Sequence, residues 1–119
     1  MHSKAKPATR AEKKRMERIV ELGCVACRKD HRIASSCGVA EVHHLLDGGV
    51  RRGHAFTICL GMWHHRGLPK NPTEEKACAW AEHWYGPSLY HDARAFRERY
   101  GSDDELLAYQ NELLTKELS

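Results

Sequence analysis

Two pairs of adjacent histidines are the residues of this chain best suited to chemistry. His43 and His44 end one short segment, and His64 and His65 follow an apolar run, residues 55–60, twenty residues further along the chain. Neutral imidazole binds divalent metals, and its proton affinity suits a general base near neutral pH. Two such pairs at this spacing therefore predict a metal site in which one histidine activates a water molecule.

A glycine-rich basic segment, residues 47–53, separates the two pairs. Over residues 39–67 the pattern predicts a strand, a loop, a second strand and a short helix. Neighbouring side chains of a strand point to opposite faces, so His43 and His44 can serve one site only where the strand ends and bends. This layout is typical of a ββα-metal (HNH-type) nuclease site, which predicts metal-assisted hydrolysis of phosphodiester bonds.

The same layout assigns roles to the histidines. Hydrolysis needs a base for the water and a cation for the phosphate and the leaving oxygen. We assign His44 as the general base, and His43 and His65 as ligands of the catalytic metal. Asp47 could be a third ligand or could orient the base, and the roles of His64 and His65 could be exchanged. The metal could be Mg²⁺, Mn²⁺ or Zn²⁺, because mixed nitrogen and oxygen ligands accept several metals.

Basic side chains near the histidines are candidates for binding DNA. Arg51 and Arg52 lie in the glycine-rich loop, and Arg66 follows the second pair. Arginine binds phosphate through two parallel hydrogen bonds, so these residues are expected to line the rim of the site. His54 could bind phosphate too, or could fix the loop. The alternative for the arginines is that they only keep the loop soluble.

The cysteines predict a second, structural metal site. Cys24 and Cys27 form a Cys-x-x-Cys turn, which supplies two thiolates to a tetrahedral zinc ion. A second half is needed elsewhere, and Cys59 stands beside the second histidine pair. We therefore predict structural Zn²⁺ bound by Cys24, Cys27, Cys59 and His64. Cys37 is the rival third ligand, left out because it falls in a polar loop. Buried free thiols are the alternative to a metal.

The remaining elements are predicted to be mostly helical. Thr9 and Glu12 form a capping-box pattern that opens a helix ending at Leu22, and Ser102 opens the last helix in the same way. Two further helices are expected over residues 73–84 and 89–100. The predicted fold is α+β and mostly helical, with flanking helices around a ββα-metal core that carries structural zinc. We expect a disordered basic tail over residues 1–8 and a single nuclease domain over residues 9–119.

Charge and cysteine usage limit the setting of the protein. Residues 1–18 are strongly basic and residues 102–119 acidic, and a basic segment suits a polyanion such as DNA. The sequence has no apolar run long enough to cross a membrane and no secretory signal. A Cys-x-x-Cys without an export signal favours a reducing compartment, so we expect a cytoplasmic protein. We also expect a monomer.

Five segments together resemble the phage recombination-enhancement (Ref) nucleases. These are AEVHHLLDGG (40–49), RGH (52–54), WHHRG (63–67), YGPSL (85–89) and FRERYGSDDELL (96–107). The resemblance covers about residues 20–110. It implies an HNH-like, zinc-containing endonuclease of phage or prophage origin, which cuts DNA where the host RecA filament has paired a single strand with a duplex. By motif position, His43, His44, His65 and Asp47 carry over as active-site residues.

The sequence thus favours a metal-dependent DNA endonuclease that depends on RecA and acts in recombination or repair. A general phage HNH endonuclease that needs no RecA is the first alternative. A zinc-stabilised nucleic-acid-binding module without catalysis is the second. The general base distinguishes hydrolysis from binding, because binding requires only arginine and lysine side chains.

Overall fold

The computed structural model describes residues 6–30 and 36–117, in which two helices are followed by four short strands and then by four more helices. About half of the protein is helical, which makes it a small α+β domain. In chain order the elements are α1 (Arg10–Leu22), α2 (Val25–Lys29), β1 (Ala40–His44), β2 (Leu46–Asp47), β3 (Val50–Arg51), β4 (Thr57–Gly61), α3 (Met62–Arg66), α4 (Ala77–Tyr85), α5 (Ala93–Tyr100) and α6 (Asp103–Glu117).

The central sheet consists of β1 and β4, and α3 follows β4 directly. The chain thus has the order strand, loop, strand and helix that the sequence predicts. The two strands are antiparallel, with Ala40 opposite Gly61 and His44 opposite Thr57. The loop between them contains a second hairpin, in which β2 pairs with β3. Its turn places Gly48 at φ 56° and Gly49 at φ 84°, and such a two-residue turn requires positive φ at both positions.

Strand β4 lies at the centre of the core, and all five of its residues are buried. Within the described residues its second edge has no partner strand, and side chains bind its backbone instead. Gln110 of α6 donates from Nε2 to the carbonyl oxygen of Thr57 (2.9 Å) and accepts from the amide of Cys59 at Oε1 (2.8 Å). Arg15 of α1 donates to the same Thr57 carbonyl (3.2 Å). A helix that covers an edge in this way protects it from further pairing.

Two predicted helix starts are confirmed by their hydrogen bonds. The side chain of Thr9 accepts from the amide of Glu12, and the Glu12 carboxylate accepts from the amide of Thr9. Ser102 and Glu105 make the same reciprocal pair at the start of α6. These caps satisfy amide groups that the first turn of a helix leaves without partners.

Two other predicted starts are wrong. Helix α4 begins at Ala77 rather than near residue 73, because residues 71–77 close two successive turns, from Asn71 to Glu74 and from Glu74 to Ala77. Helix α5 begins at Ala93 rather than near residue 89, because Asp92 caps it by accepting from the amide of Ala95. The tail predicted over residues 1–8 lies partly outside the described residues. Within them, no helix is long and apolar enough to span a membrane.

Candidate metal centre and catalytic histidines

Three cysteines and one histidine form a cluster that could hold a metal ion. Each of Cys24, Cys27, Cys37 and His64 offers one ligand atom, and these four atoms all lie within 4.8 Å of one another. The Nδ1 atom of His64 is 3.1 Å from Sγ of Cys37, 3.4 Å from Sγ of Cys24 and 3.7 Å from Sγ of Cys27. A Cys₃His set at this spacing is consistent with structural zinc.

Three separate segments bring these ligands together. Cys24 and Cys27 come from the start of α2, Cys37 from the bend before β1, and His64 from α3. The approach of Cys37 depends on Gly61, because a Cβ atom at that position would collide with the Cys37 sulfur. A metal in the cluster would therefore tie α2 and the bend before β1 to the helix that carries the second histidine pair.

The ring of His64 is already oriented for a ligand at Nδ1. Its Nε2–H donates to the carbonyl oxygen of Tyr85 at 2.6 Å, in the buried interior. The neutral ring then has its lone pair on Nδ1, which is the atom that faces the three sulfurs. Metal-binding histidines commonly make such a hydrogen bond from the second ring nitrogen to a backbone carbonyl.

The protonation of the thiols fits a cation site. Hydrogen bonds from Cys24 and Cys27 lower the pKa of the Cys37 thiol, whereas burial raises the pKa of Cys24 well above its ordinary value. Three thiols this close together keep most of their protons unless a cation offsets the charge of their thiolates. A divalent cation that replaces those protons would neutralise a buried group of sulfurs, which is the coupling expected for metal-stabilised folding.

The cluster contains Cys37 where the sequence analysis placed Cys59. Cys37 lies in the loop for which the sequence analysis left it out, but its side chain is fully buried. Cys59 lies outside the cluster, in the middle of β4 opposite Val42. Burial raises the pKa of Cys59 to about 12, so it packs as a neutral thiol. Cys24, Cys27 and His64 are in the cluster as the sequence analysis expected.

A second group of polar residues gathers on one face of β1. Glu41 and His43 are two positions apart, so they share a face of the strand. His65 of α3 packs against both: its Nδ1 atom is 3.0 Å from Oε1 of Glu41, and its ring centroid is 4.8 Å from that of His43. Arg66 donates from Nε to the same Glu41 oxygen at 2.9 Å. The structure thus brings together the two histidines that the sequence analysis assigned as ligands.

The sequence analysis missed Glu41. The alternation of side chains along a strand was the signal that could have found it, because a residue two before a candidate ligand lies on the same face. Burial, followed by the charge of His65, lowers the pKa of His43 to about 4. The His43 ring is therefore neutral near pH 7, with a nitrogen lone pair for a metal.

His44 lines a cavity of about 760 Å³ that lies between the second hairpin and the segment before α1. Its Nε2 atom is 3.1 Å from Nδ1 of His54, and Nε2 of His54 is 2.7 Å from the carbonyl oxygen of Lys6. Burial, and then the charges of Arg51 and His54, lower the pKa of His44 below its ordinary value. The cavity therefore contains a histidine that is neutral at physiological pH, beside an exposed arginine.

Two of the predicted polar residues are engaged with each other. Arg52 forms ion pairs with Asp47 at 2.8 Å and with Asp104 of α6 at 2.5 Å. The Asp47 side chain is 74% exposed and, among the described residues, belongs to no cluster of metal-ligand atoms. Arg66 pairs with Glu41, whereas Arg51 forms no ion pair with any residue that the structure describes. Arg52 and Arg66 are thus each paired with an acidic side chain, whereas the charge of Arg51 is not offset by a described residue.

Comparison with known families assigns the chain. The family model described as "Recombination enhancement, RecA-dependent nuclease" matches residues 8–115. No curated protein and no solved structure is significantly similar to this chain. Since the match spans nearly the whole sequence, the chain belongs to the RecA-dependent nuclease family.

Proposed function

We propose that this RecA-dependent nuclease is a metal-dependent DNA endonuclease of the HNH type. The observation that carries the proposal is the meeting of His43 and His65, ring against ring, on a strand whose last residue is His44. His43 and His65 could thus bind one cation, and His44, which follows His43 in the sequence, could activate water from the separate cavity that it faces. The family name supports a nuclease that works in recombination.

Glu41, His43 and His65 are proposed to hold the catalytic cation. One carboxylate and two imidazoles accept Mn²⁺ and Zn²⁺ readily, and Mg²⁺ with additional water. When bound, the cation would neutralise the charge that develops on the phosphate and on the leaving oxygen. Glu41 takes the place given to Asp47 in the sequence analysis, because Asp47 is paired with Arg52 and Glu41 already contacts His65.

His44 is proposed to be the general base. Its neutral ring accepts a proton from water as the water oxygen forms a bond to phosphorus, and the bond from phosphorus to the leaving sugar oxygen breaks. The leaving oxygen then takes a proton from solvent. His44 is the last residue of β1, and one residue, Leu45, separates it from β2. This end position supports the proposal that two neighbouring histidines serve one reaction.

Structural zinc at Cys24, Cys27, Cys37 and His64 is proposed to support this arrangement. His64 and His65 are neighbours on α3, a helix of five residues. A helix this short has little stability of its own. A metal bound through His64 would fix the helix against α2, and with it the position of His65 beside His43.

The basic face of α1 is proposed to bind the DNA backbone together with Arg51. Its cations are exposed and form no ion pair with any described residue: Arg10, Lys13, Lys14 and Arg18. Most arginines elsewhere in the described chain are paired with acids, including Arg52 and Arg66. Unpaired cations retain the charge that attracts phosphate, so α1 extends the DNA site beyond the cavity at His44. Arg52, which is paired with Asp47 and Asp104, then acts on the loop rather than on DNA.

The proposed setting is the cytoplasm of a bacterial cell, where a phage- or prophage-encoded monomer meets RecA filaments on DNA. The family name supports the dependence on RecA. A single nuclease domain from about residue 9 onward is proposed as well, since α1 and α6 both pack against the central strands.

One cleavage assay tests these proposals. Purified protein is incubated with single-stranded or supercoiled DNA, with Mg²⁺ or Mn²⁺, and with or without RecA filaments. His44→Ala should abolish cleavage, whereas His83→Ala, which changes an exposed histidine of α4, should leave it unchanged. We expect cleavage only where RecA is present.

Two other results would replace this proposal. Cleavage of either DNA without RecA would indicate a general phage HNH endonuclease. DNA binding without cleavage under every condition would indicate a zinc-stabilised binding module.

A further inference from the structure

We propose that His54 is a positioning residue that fixes which nitrogen of His44 accepts the proton. The inference rests on the proposed function, because it names the reacting atom of the proposed base. It assigns the lone pair of neutral His44 to Nδ1 and the hydrogen to Nε2. The sequence analysis considered His54 for binding phosphate or for fixing the loop, and neither role involves the ring of His44.

A chain of hydrogen bonds determines the assignment. A backbone carbonyl oxygen can only accept, so the 2.7 Å contact to Lys6 requires a hydrogen on Nε2 of His54. A neutral His54 ring then has its lone pair on Nδ1. The hydrogen in the 3.1 Å contact between the two rings must therefore come from Nε2 of His44. That leaves Nδ1 as the nitrogen of His44 that is free to take a proton from water.

The backbone of His54 is held in place from the core. The hydroxyl of Thr57 donates to the carbonyl oxygen of His54 at 3.0 Å, and it accepts from Nη1 of Arg15 at 2.7 Å. Thr57 is fully buried, and Arg15 also binds Asn111 of α6. His54 is thus fixed to a buried strand on one side and to the Lys6 backbone on the other. A residue fixed this way can orient a neighbouring ring before substrate arrives.

The orientation has a direct chemical consequence. When His44 takes a proton at Nδ1, its Nε2–H remains bound to His54, so the ring does not need to reorient during the reaction. If the hydrogen sat on Nδ1 instead, the lone pair would face His54 and the water would have no acceptor. His54 therefore acts through His44 and needs no contact with substrate.

Nuclear magnetic resonance tests the assignment without any cleavage. The imidazole nitrogens of the full, zinc-loaded protein are labelled with ¹⁵N and observed without Mg²⁺ or Mn²⁺ at about pH 8, above the usual histidine pKa of about 6.5. Long-range couplings should place the hydrogen on Nε2 in both His44 and His54. A hydrogen on Nδ1 of either ring would overturn the inference.

Two substitutions of His54 test the consequence for the reaction. In His54→Asn the amide oxygen occupies about the position of Nδ1 and can still accept from Nε2 of His44, so the tautomer should be kept and kcat should stay within about threefold. In His54→Ala the tautomer should no longer be fixed, and kcat should fall roughly ten- to a hundredfold with KM unchanged, as for other residues that orient a reacting group.

The outcomes separate this inference from the proposed function. Full activity of His44→Ala would remove the proposed base itself, whatever the tautomers. An inactive His44→Ala combined with a fully active His54→Ala would overturn only the role of His54. Equal losses in His54→Ala and His54→Asn, or a loss confined to KM, would overturn it too, because they would indicate a loop or DNA contact.

Discussion

Glu41 and His65 are in contact, with Oε1 3.0 Å from Nδ1, although twenty-four residues separate them in the sequence. The contact joins β1 to α3, the two elements that carry the histidine pairs. Hydrogen bonds from Arg66 and then from His65 hold the pKa of Glu41 below its usual range. The carboxylate is therefore ionised at neutral pH, where it can either bind a cation with His65 or orient the ring.

Glu41→Gln should reduce cleavage because the amide removes the negative charge that the proposed cation needs. We expect kcat to fall roughly ten- to a hundredfold and the Mn²⁺ concentration for half-maximal cleavage to rise. The measurement is a titration of cleavage with Mn²⁺. Glu75→Gln, at an exposed acid of the loop before α4, is the matched control. An unchanged titration in Glu41→Gln would leave the carboxylate without a role at the metal.

Cys37→Ser should release the proposed structural zinc, whereas Cys59→Ser should retain it. Of these two cysteines, only Cys37 lies among the ligand atoms around His64. The measurement is the zinc content of the purified proteins, with the melting temperature recorded before and after a chelator. The chelator should lower the melting temperature of the wild type and of Cys59→Ser. If Cys59→Ser lost its zinc and Cys37→Ser kept it, the ligand set derived from the sequence would be correct.

The pH dependence of cleavage should reflect the lowered pKa of His44. A general base must be neutral, so the rate falls as the pH decreases through its pKa. Burial moves that pKa below the ordinary value of 6.5, so the activity should persist below pH 6.5 before it declines. The measurement is kcat against pH at saturating metal. An acid limb centred above 6.5 would contradict His44 as the base in this environment.

Lys14→Gln and Arg18→Gln should weaken DNA binding in a way that depends on salt. Each cation that neutralises one phosphate contributes about 0.9 to the slope of log K against log salt. The slope should therefore decrease by roughly that amount per substitution when catalytically inactive His44→Ala binds duplex DNA. Lys76→Gln, at an exposed lysine before α4, should leave the slope unchanged. A loss of RecA stimulation with unchanged DNA affinity would assign the α1 face to a protein partner.

Gln110→Ala should destabilise the fold at the edge of β4 that α6 covers. The substitution leaves the amide of Cys59 without its acceptor and removes one donor to the Thr57 carbonyl, both in the buried core. Unsatisfied buried groups of this kind cost about 2–3 kcal/mol together. Unfolding by urea measures the change. Asn111→Ala, which removes only the exposed contact with Arg15, should cost much less.

The sequence alone determined those elements whose hydrogen bonds join residues close together in the chain. The reciprocal caps of α1 and α6 involve residues three apart, so their sequence patterns specify both helix starts. The order of strands and helix around the histidine pairs followed in the same way from periodicity. The start of α4 did not, because a capping residue alone does not prevent the chain from forming turns first.

The tertiary structure alone decided which distant side chains meet. The sequence analysis favoured Cys59 over Cys37 as the third ligand, but the tertiary structure brings Cys37 to His64, where it also packs closely against Gly61. Likewise, Arg52 meets Asp104 only because the segment after β3 packs against α6. Glu41 meets His65 only because β1 packs against α3. Hydrogen-bonding patterns within a helix or a turn span a few residues and can be recognised from them. Contacts across the core depend on how every element packs, and no short pattern encodes that.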